Sequence, residues 1–519
     1  MSARQSIVIR SPYPDVPIPD VPLHELVLAS AAERGDRPAL IDGPSGRTLT
    51  YGQLAAAVRR TAAGLAARGF RKGDAFAIYL PNVPEYAVAF YGVSMAGGIS
   101  TTANPLYTAD ELANQLNDSH ARFLLTAPPL LERALQAAER ARVEEVFVLG
   151  EAEGATPFAA LLASEGEPPE VDVDPADDLV ALPYSSGTTG LPKGVMLTHR
   201  NLVANLCQGD QFLVRDDQER VIAVLPLYHI YGLSVLMCGA VWKGATLVTM
   251  PRFDLEEFLR LLQDHRITRA FLVPPIVLAL AKHPLVDKYD LSSLNTVLSG
   301  AAPLDAGLER AATERVDATV TQGWGLTETS PVLTTNLGGE PRPGSVGRLL
   351  PNTECRIVDP VSGADVPAGE IGELVVRGPQ IMKGYLGRPE ETAQMLDPDG
   401  WLHTGDLGYA DPDGYLYVVD RVKELIKYKG LQVAPAELEA VLLSHPAITD
   451  AAVVRSPDEE AGEVPKAFVV TSSPLTADEV MAYVAERVAP FKKVRQVEFV
   501  DEIPKAPSGK ILRRALIGR

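Results

Sequence analysis

Apolar positions along the chain switch between two periods. Over residues 23–33 and again from Thr50 they recur at helical spacing, the second stretch placing Leu54, Val58, Ala62 and Leu65 on one face. Residues 76–80 form a short apolar run that predicts a strand, 84–96 returns to a helix, Gly97-Gly98 breaks it, and 99–102 is strand-like again. The alternation resumes with strands at 221–225, 245–250, 270–273 and 296–299 and helices at 232–241 and 254–265. Strands interleaved with helices in this way predict α/β layering.

The texture changes near residue 340 to short alternating strands separated by Gly, Pro and Asp turns, as at 372–378, which predicts a mainly β subdomain. A strand at 416–421 then runs into a charged segment, and the final hundred or so residues read as a βα-rich unit with helices at 435–443 and 478–488. A boundary near Arg421 is expected. No internal repeat or low-complexity tract interrupts the chain.

Composition narrows the classes. At 519 residues with 46% hydrophobic and 22% charged positions, the chain exceeds one compact domain. A net charge of −19 argues against nucleic acid or an anionic membrane as a partner. Any polyanionic ligand must therefore meet a local cluster of cations, for which Arg252, Lys423, Lys427, Lys429 and Lys510 are candidates. The cysteines Cys207, Cys238 and Cys355 are widely separated and lack metal-ligand spacing, so buried free thiols in a reducing setting are expected. No basic-then-apolar leader opens the sequence and no apolar run reaches membrane-spanning length, so the expected location is cytoplasmic.

Four segments carry chemistry. Residues 184–195 hold three glycines, the hydroxyls of Ser185, Ser186, Thr188 and Thr189, and Lys193, between two apolar runs. Backbone N–H groups freed by Gly187 and Gly190, hydroxyl donors and one cation suit a phosphate cradle. It differs from a Walker loop, because Pro192 precedes Lys193, Gly194 follows it, and a strand intervenes before the next helix. Residues 322–328 combine Gln322, Gly323, the Trp324 ring, Thr327 and Glu328, which suits a nucleotide: ring for adenine, hydroxyl for a phosphate oxygen, carboxylate for Mg²⁺. Residues 401–406 offer Asp406 to a ribose diol, and the Pro/Gly-rich tip at 504–510 presents Lys510.

In this order the segments 185–195, 323–328, 372–378, 404–406, 420–432 and 505–510 resemble the adenylate-forming superfamily of acyl-CoA synthetases, adenylation domains and luciferases. Within it the chain looks most like a bacterial coumarate or cinnamate CoA ligase. The resemblance implies an α/β protein with a large N-terminal domain, residues 1–421, built of two α/β subdomains and a mainly β subdomain. A small, mobile α+β domain, 422–519, would follow. The implied reaction joins a small-molecule carboxylic acid to ATP, releasing pyrophosphate, and then to CoA, releasing AMP, with Mg²⁺ as metal and a monomer or homodimer as the working unit.

The same resemblance implies roles. Lys510 lies between acid and α-phosphate, Lys193 and the loop hydroxyls hold the β- and γ-phosphates, and Thr327 and Glu328 serve the α-phosphate and metal. Asp406 and Arg421 fix the ribose, while Gln322, Gly323 and Trp324 line the adenine. His229 stands beside the acyl carboxylate. Lys423 aligns with a hinge, and Lys427, Lys429, Gly430, Gln432 and Arg252 with nucleotide- and CoA-facing positions. Tyr231, Leu298, Ser299, Gly300, Pro331 and Val332 match the acyl pocket, with Ala301 at its nucleotide edge.

Leu298 is apolar where plant coumarate ligases often place a lysine, which relaxes any demand for a ring hydroxyl, so cinnamate is expected alongside 4-coumarate. Medium-chain fatty acids remain an alternative, because an apolar pocket separates such groups poorly. A luciferase-like oxygenase and a non-turnover nucleotide-binding regulator are the remaining readings. An amino-acid substrate is disfavoured, since no aspartate follows His229 within 227–234.

Overall fold

The computed structural model describes residues 8–185, 192–429, 431–458, 460–506 and 509–517, with Gln432 described by its backbone alone. Among the described residues of the first four-fifths of the chain there are a two-stranded sheet, Thr334–Thr335 with Arg348–Leu349, and three large ones. One has eight strands in the order Gly384–Tyr385, Lys193–Thr198, Leu179–Ser185, Ile99–Thr102, Ala75–Tyr79, Ala121–Thr126, Glu145–Val148 and Thr156–Pro157. From Leu179–Ser185 onward it is parallel, and its first two strands join antiparallel. The predicted helix after Thr50 is Tyr51–Ala67, closed at its start by a capping box between Thr50 and Gln53. Its apolar face of Leu54, Val58, Ala62 and Leu65 is fully buried. It packs on Glu85–Met95 so closely that a Cβ on Gly92 would lie 2.5 Å from the Thr61 methyl.

The second sheet has seven strands, with Thr319–Gln322, Thr296–Ser299, Arg269–Leu272 and Arg220–Ala223 adjacent and parallel. Their carboxyl ends open on one side, so the loops leaving them gather His229, Val273, Gly300 and Gly323 at a common edge, where ligands of open α/β sheets bind. The third sheet is the expected β subdomain, an antiparallel array of Glu354–Val358, Gly372–Arg377, Leu402–Ala410 and Leu416–Arg421. Its outer strand, Ile9–Arg10, comes from the other end of the chain and pairs with Cys355 and Glu354.

The terminal unit is an α+β arrangement of five strands with helices Pro435–Leu443 and Ala477–Ala485. Its core of Ile426, Val433, Leu438, Val453 and Val469 is separate from the large core spanning Leu23 to Leu416. A small cluster of Leu407, Leu425 and Ala434 lies between them. The three cysteines are free and buried. Among the described residues no helix is long and apolar enough to cross a membrane.

Two helices differ from expectation. The stretch 23–33 breaks into Leu23–Leu28 and Ala31–Arg34, because the Ala29 N–H bonds back to Leu26 and tightens the turn. The stretch 232–241 is not one α-helix: Tyr231–Cys238 is a π-helix and only Gly239–Lys243 is α-helical. All eight π residues are buried, so the apolar pattern has no polar face from which to read the wider turn. The wide turn also accommodates a tight approach, since a Cβ on Gly232 would lie 2.1 Å from the Pro226 carbonyl oxygen.

Candidate active site

The phosphate-cradle segment joins two antiparallel strands, as expected, with Lys193 opposite Ser185 and Gly194 opposite Tyr184. Ser186, Gly187, Thr188, Thr189 and Gly190 lie outside the described residues. Lys193 is half-buried, with its Nζ over the face of Tyr385, 5.0 Å from the ring centroid. The Tyr385 hydroxyl in turn donates to Glu328 Oε1 at 2.8 Å. Glu328 is buried in the short turn Thr327–Thr329, with Thr327 half-buried beside it.

Across from this pair lies a carboxylate held on both oxygens. Asp406 Oδ2 accepts the Trp324 indole N–H at 2.8 Å, and Asp406 Oδ1 meets Arg421 Nε at 3.0 Å. Asp406 and Arg421 are direct partners across adjacent strands, which sets their approach. The turn before Asp406 is fixed by Glu373, whose Oε1 accepts the Gly405 N–H at 3.0 Å and whose Oε2 lies 3.1 Å from His403 Nδ1. That pairing raises the His403 pKa. Trp324, expected from its ring to line the adenine, braces Asp406 through its N–H. The Gln322 carboxamide is spent on Leu304, accepting its N–H at 3.0 Å and donating to its carbonyl at 2.9 Å. Gly323 admits no side chain, since a Cβ would lie 2.9 Å from the Thr334 carbonyl.

The loop bearing His229 is clamped from beneath by Asn82. Its Nδ2 donates to the carbonyls of Ala223 and Leu225, both at 2.8 Å, and its Oδ1 accepts the Leu227 N–H at 2.8 Å. Thr102 adds a bond to the Tyr228 carbonyl at 2.7 Å. His229 Nδ1 accepts the Tyr231 N–H at 3.3 Å, which leaves Nε2 carrying the proton. Burial, assisted by the positive charge of Lys510, pushes His229 down to about 4, so the ring is neutral near pH 7.

Tyr231 donates its hydroxyl to the Leu298 carbonyl at 3.1 Å, and its ring leaves no room for a Cβ on Gly300, which would lie 2.8 Å away. Leu298 and Ser299 are buried, and Ser299 Oγ has no hydrogen-bond partner among the described residues. Ala301 is held at φ +68, a backbone region that non-glycine residues adopt at a cost. Beyond Pro331, the Val332 backbone is gripped twice by the Asn205 carboxamide, at 3.0 and 2.7 Å. These polar clamps hold an apolar wall.

Lys510 reaches this edge from the far end of the sequence. Its hairpin tip is closed by Ala506 N–H to the Lys510 carbonyl and Gly509 N–H to the Ala506 carbonyl, both 2.8 Å. Gly509 sits at φ +79, where an added Cβ would come within 3.1 Å of Val273. Burial, followed by the nearby charge of Arg421, lowers the Lys510 ammonium to about 8, while Glu424 and Asp406 oppose the shift. Arg252, Lys423 and Lys427 are exposed, and Lys429 is paired with Glu460. Gly430 and the Gln432 side chain lie outside the described residues.

The structure therefore gathers Lys510, His229, Arg421 and Asp406 around one edge, and links Lys193 to Glu328 through Tyr385. Tyr385, Asn82, Asn205 and Glu373 were not singled out by the sequence.

The chain matches the AMP-binding enzyme family over residues 27–386 and the AMP-binding enzyme C-terminal domain over 437–510. It is 46% identical to 4-coumarate--CoA ligase 1 of Petroselinum crispum, over 100% of this chain and 98% of the relative. It is 47% identical to 4-coumarate--CoA ligase 5 of Oryza sativa subsp. japonica, over 99% and 98%. Among solved structures, the anthranilate CoA ligase AuaEII in complex with anthranoyl-AMP superposes with a TM-score of 0.89 at 28% identity, covering 96% of this chain and 97% of that one. A benzoate CoA ligase from Burkholderia xenovorans LB400 gives 0.86 at 27% identity, covering 96% and 99%. A match across both regions, with relatives aligned end to end and a shared architecture, places the chain in the AMP-binding enzyme family, to which it belongs.

Proposed function

We propose that this enzyme joins an aryl-propenoic acid, 4-coumarate or cinnamate, to coenzyme A through an acyl-adenylate. The ligase activity rests on the family and on full-length relatives at 46–47% identity named as 4-coumarate--CoA ligases. The observation that carries the site assignment is Lys510, on a tip that Gly509 seats against Val273 and near enough for its charge to act on His229 and to be acted on by Arg421 and Asp406.

In the first half-reaction a carboxylate oxygen attacks the α-phosphorus of ATP. The acyl–O–P bond forms and the bond to the β-phosphate oxygen breaks, releasing pyrophosphate. Attack brings anion onto anion, so the main work is to neutralise charge. Lys510, protonated below about pH 8, serves in this reading as the cation for the carboxylate and α-phosphate. Lys193, with the loop hydroxyls, retains the departing pyrophosphate. Asp406, oriented by Trp324 and Arg421, accepts from the ribose diol. In the second half-reaction the CoA sulfur attacks the acyl carbon, the C–S bond forms, the C–O bond to AMP breaks, and the thiol proton leaves to solvent. His229 orients the acyl carboxylate; an imidazole held down at about 4 is a weak base for a thiol.

The donor set suits Mg²⁺. Among the described residues no group of three or more His, Cys, Asp or Glu is placed to hold a metal, whereas Mg²⁺ is commonly held by one or two carboxylates together with substrate phosphates. Glu328, with one oxygen taken by Tyr385, fits that demand, and the ion when bound supplies charge neutralisation at the phosphates. The wall of Tyr231, Leu298, Gly300 and Val332 supports a flat aromatic acid with no requirement for a ring hydroxyl. We place the domain boundary after residue 421 and the pivot at Lys423, which is exposed between the two separate cores.

The test is a panel of acids assayed for CoA-dependent AMP release. The reading expects 4-coumarate and cinnamate to lead, with medium-chain fatty acids well behind. A faster rate with octanoate would replace the substrate, and nucleotide binding without turnover of any acid would favour a regulator.

A further inference from the structure

The strap 382–386 is stitched to both halves of the phosphate site. Its Lys383 and Leu386 N–H groups bond to the Met196 and Gly194 carbonyls at 3.0 and 2.9 Å, along the strand that begins at Lys193. Its Met382 N–H bonds to the Glu328 carbonyl at 2.9 Å. Tyr385, 5% exposed, thus stands between a lysine and a carboxylate, its ring face under Lys193 Nζ at 5.0 Å and its hydroxyl on Glu328 Oε1 at 2.8 Å. A carboxylate oxygen can only accept, so the Tyr385 oxygen is the donor of that bond.

Opposite charges in a partly desolvated site attract strongly, and a direct Lys193–Glu328 pair would cancel the cation meant for the triphosphate and the carboxylate meant for the metal. Tyr385 gives each a different partner. The hydroxyl fixes one oxygen of Glu328, and the ring quadrupole holds the ammonium without neutralising it. We propose that Tyr385 is a positioning residue that keeps Lys193 and Glu328 apart, reserving one for phosphate and the other for the divalent ion. This rests on the reading of Lys193 and Glu328 given above.

ATP binding to the full chain, measured by titration calorimetry with Mg²⁺ and with chelator, tests it without turnover. Glu328→Gln should lose most of the Mg²⁺-dependent gain in affinity. Tyr385→Phe keeps the ring and should cut that gain about tenfold while leaving metal-free binding unchanged. The double variant Tyr385→Phe/Glu328→Gln should be no worse than Glu328→Gln. Tyr385→Leu should also weaken metal-free binding about threefold, as Lys193 collapses onto Glu328. Adding Glu328→Gln to it should restore that loss, which a merely structural role would not do. A full Mg²⁺ gain in Glu328→Gln overturns the metal reading itself. Loss in Glu328→Gln but a full gain in Tyr385→Phe overturns the role of Tyr385 alone, and the near-isosteric phenylalanine carries the test if the leucine variant does not fold.

Discussion

Trp324 donates its indole N–H to Asp406 at 2.8 Å, joining segments 82 residues apart in the chain. The bond aims a buried carboxylate whose other oxygen is taken by Arg421. Trp324→Phe preserves a ring and removes the donor. A hydrogen bond to a charged group contributes about 1.5–3 kcal/mol, so AMP affinity should fall about tenfold or more. Calorimetry with AMP checks this; unchanged affinity contradicts the bracing role.

The role proposed for Lys510 predicts the pH dependence of the first half-reaction. Its ammonium is held down to about 8, so it is charged below that value and loses its proton above it. Acid-dependent pyrophosphate exchange should therefore decline as pH rises through about 8. His229, held at about 4, contributes no inflection near neutrality. An exchange rate that stays flat or climbs across that range contradicts the assignment.

His229→Ala separates orientation from base catalysis. The expected outcome is slower adenylation, with thioester formation from supplied acyl-adenylate spared. A loss confined to the thioester step would restore the base role.

Lys423→Pro tests the pivot. Proline fixes φ and restricts the preceding residue, so one conformer should be favoured and one half-reaction lost. Full single-turnover rates in both halves would place the pivot elsewhere.

Much of this architecture is legible in the sequence, for physical reasons that also mark where reading stops. Thr296–Ser299 and Leu416–Arg421 appear as predicted because each contains a short apolar run bounded by turn or polar residues, and Ile99–Thr102 because β-branched Ile and Thr follow the Gly97-Gly98 break. The π-helix Tyr231–Cys238 was not legible, since burial on every side erases periodicity. The pairing of Ile9 with Cys355 could not be foreseen from local pattern. At the site, Lys193, Glu328, Asp406 and Lys510 stand out because their segments have unusual composition. Asn82, Asn205, Glu373 and Tyr385 are ordinary residues in ordinary runs, and only distant backbone brought beside them gives them work. Trp324 shows the intermediate case: its ring was legible, its bond to Asp406 was not.

The division of labour between two lysines is the central claim. In the proposed reading Lys193 holds what leaves, whereas Lys510 serves the bond that forms. Single-turnover measurement of both half-reactions in Lys510→Ala and Lys193→Ala tests it most directly. Lys510→Ala should lower acyl-adenylate formation by about a hundredfold or more while sparing thioester formation from supplied acyl-adenylate, and Lys193→Ala should weaken ATP use only in part. Equal damage to both half-reactions in Lys510→Ala would contradict the account.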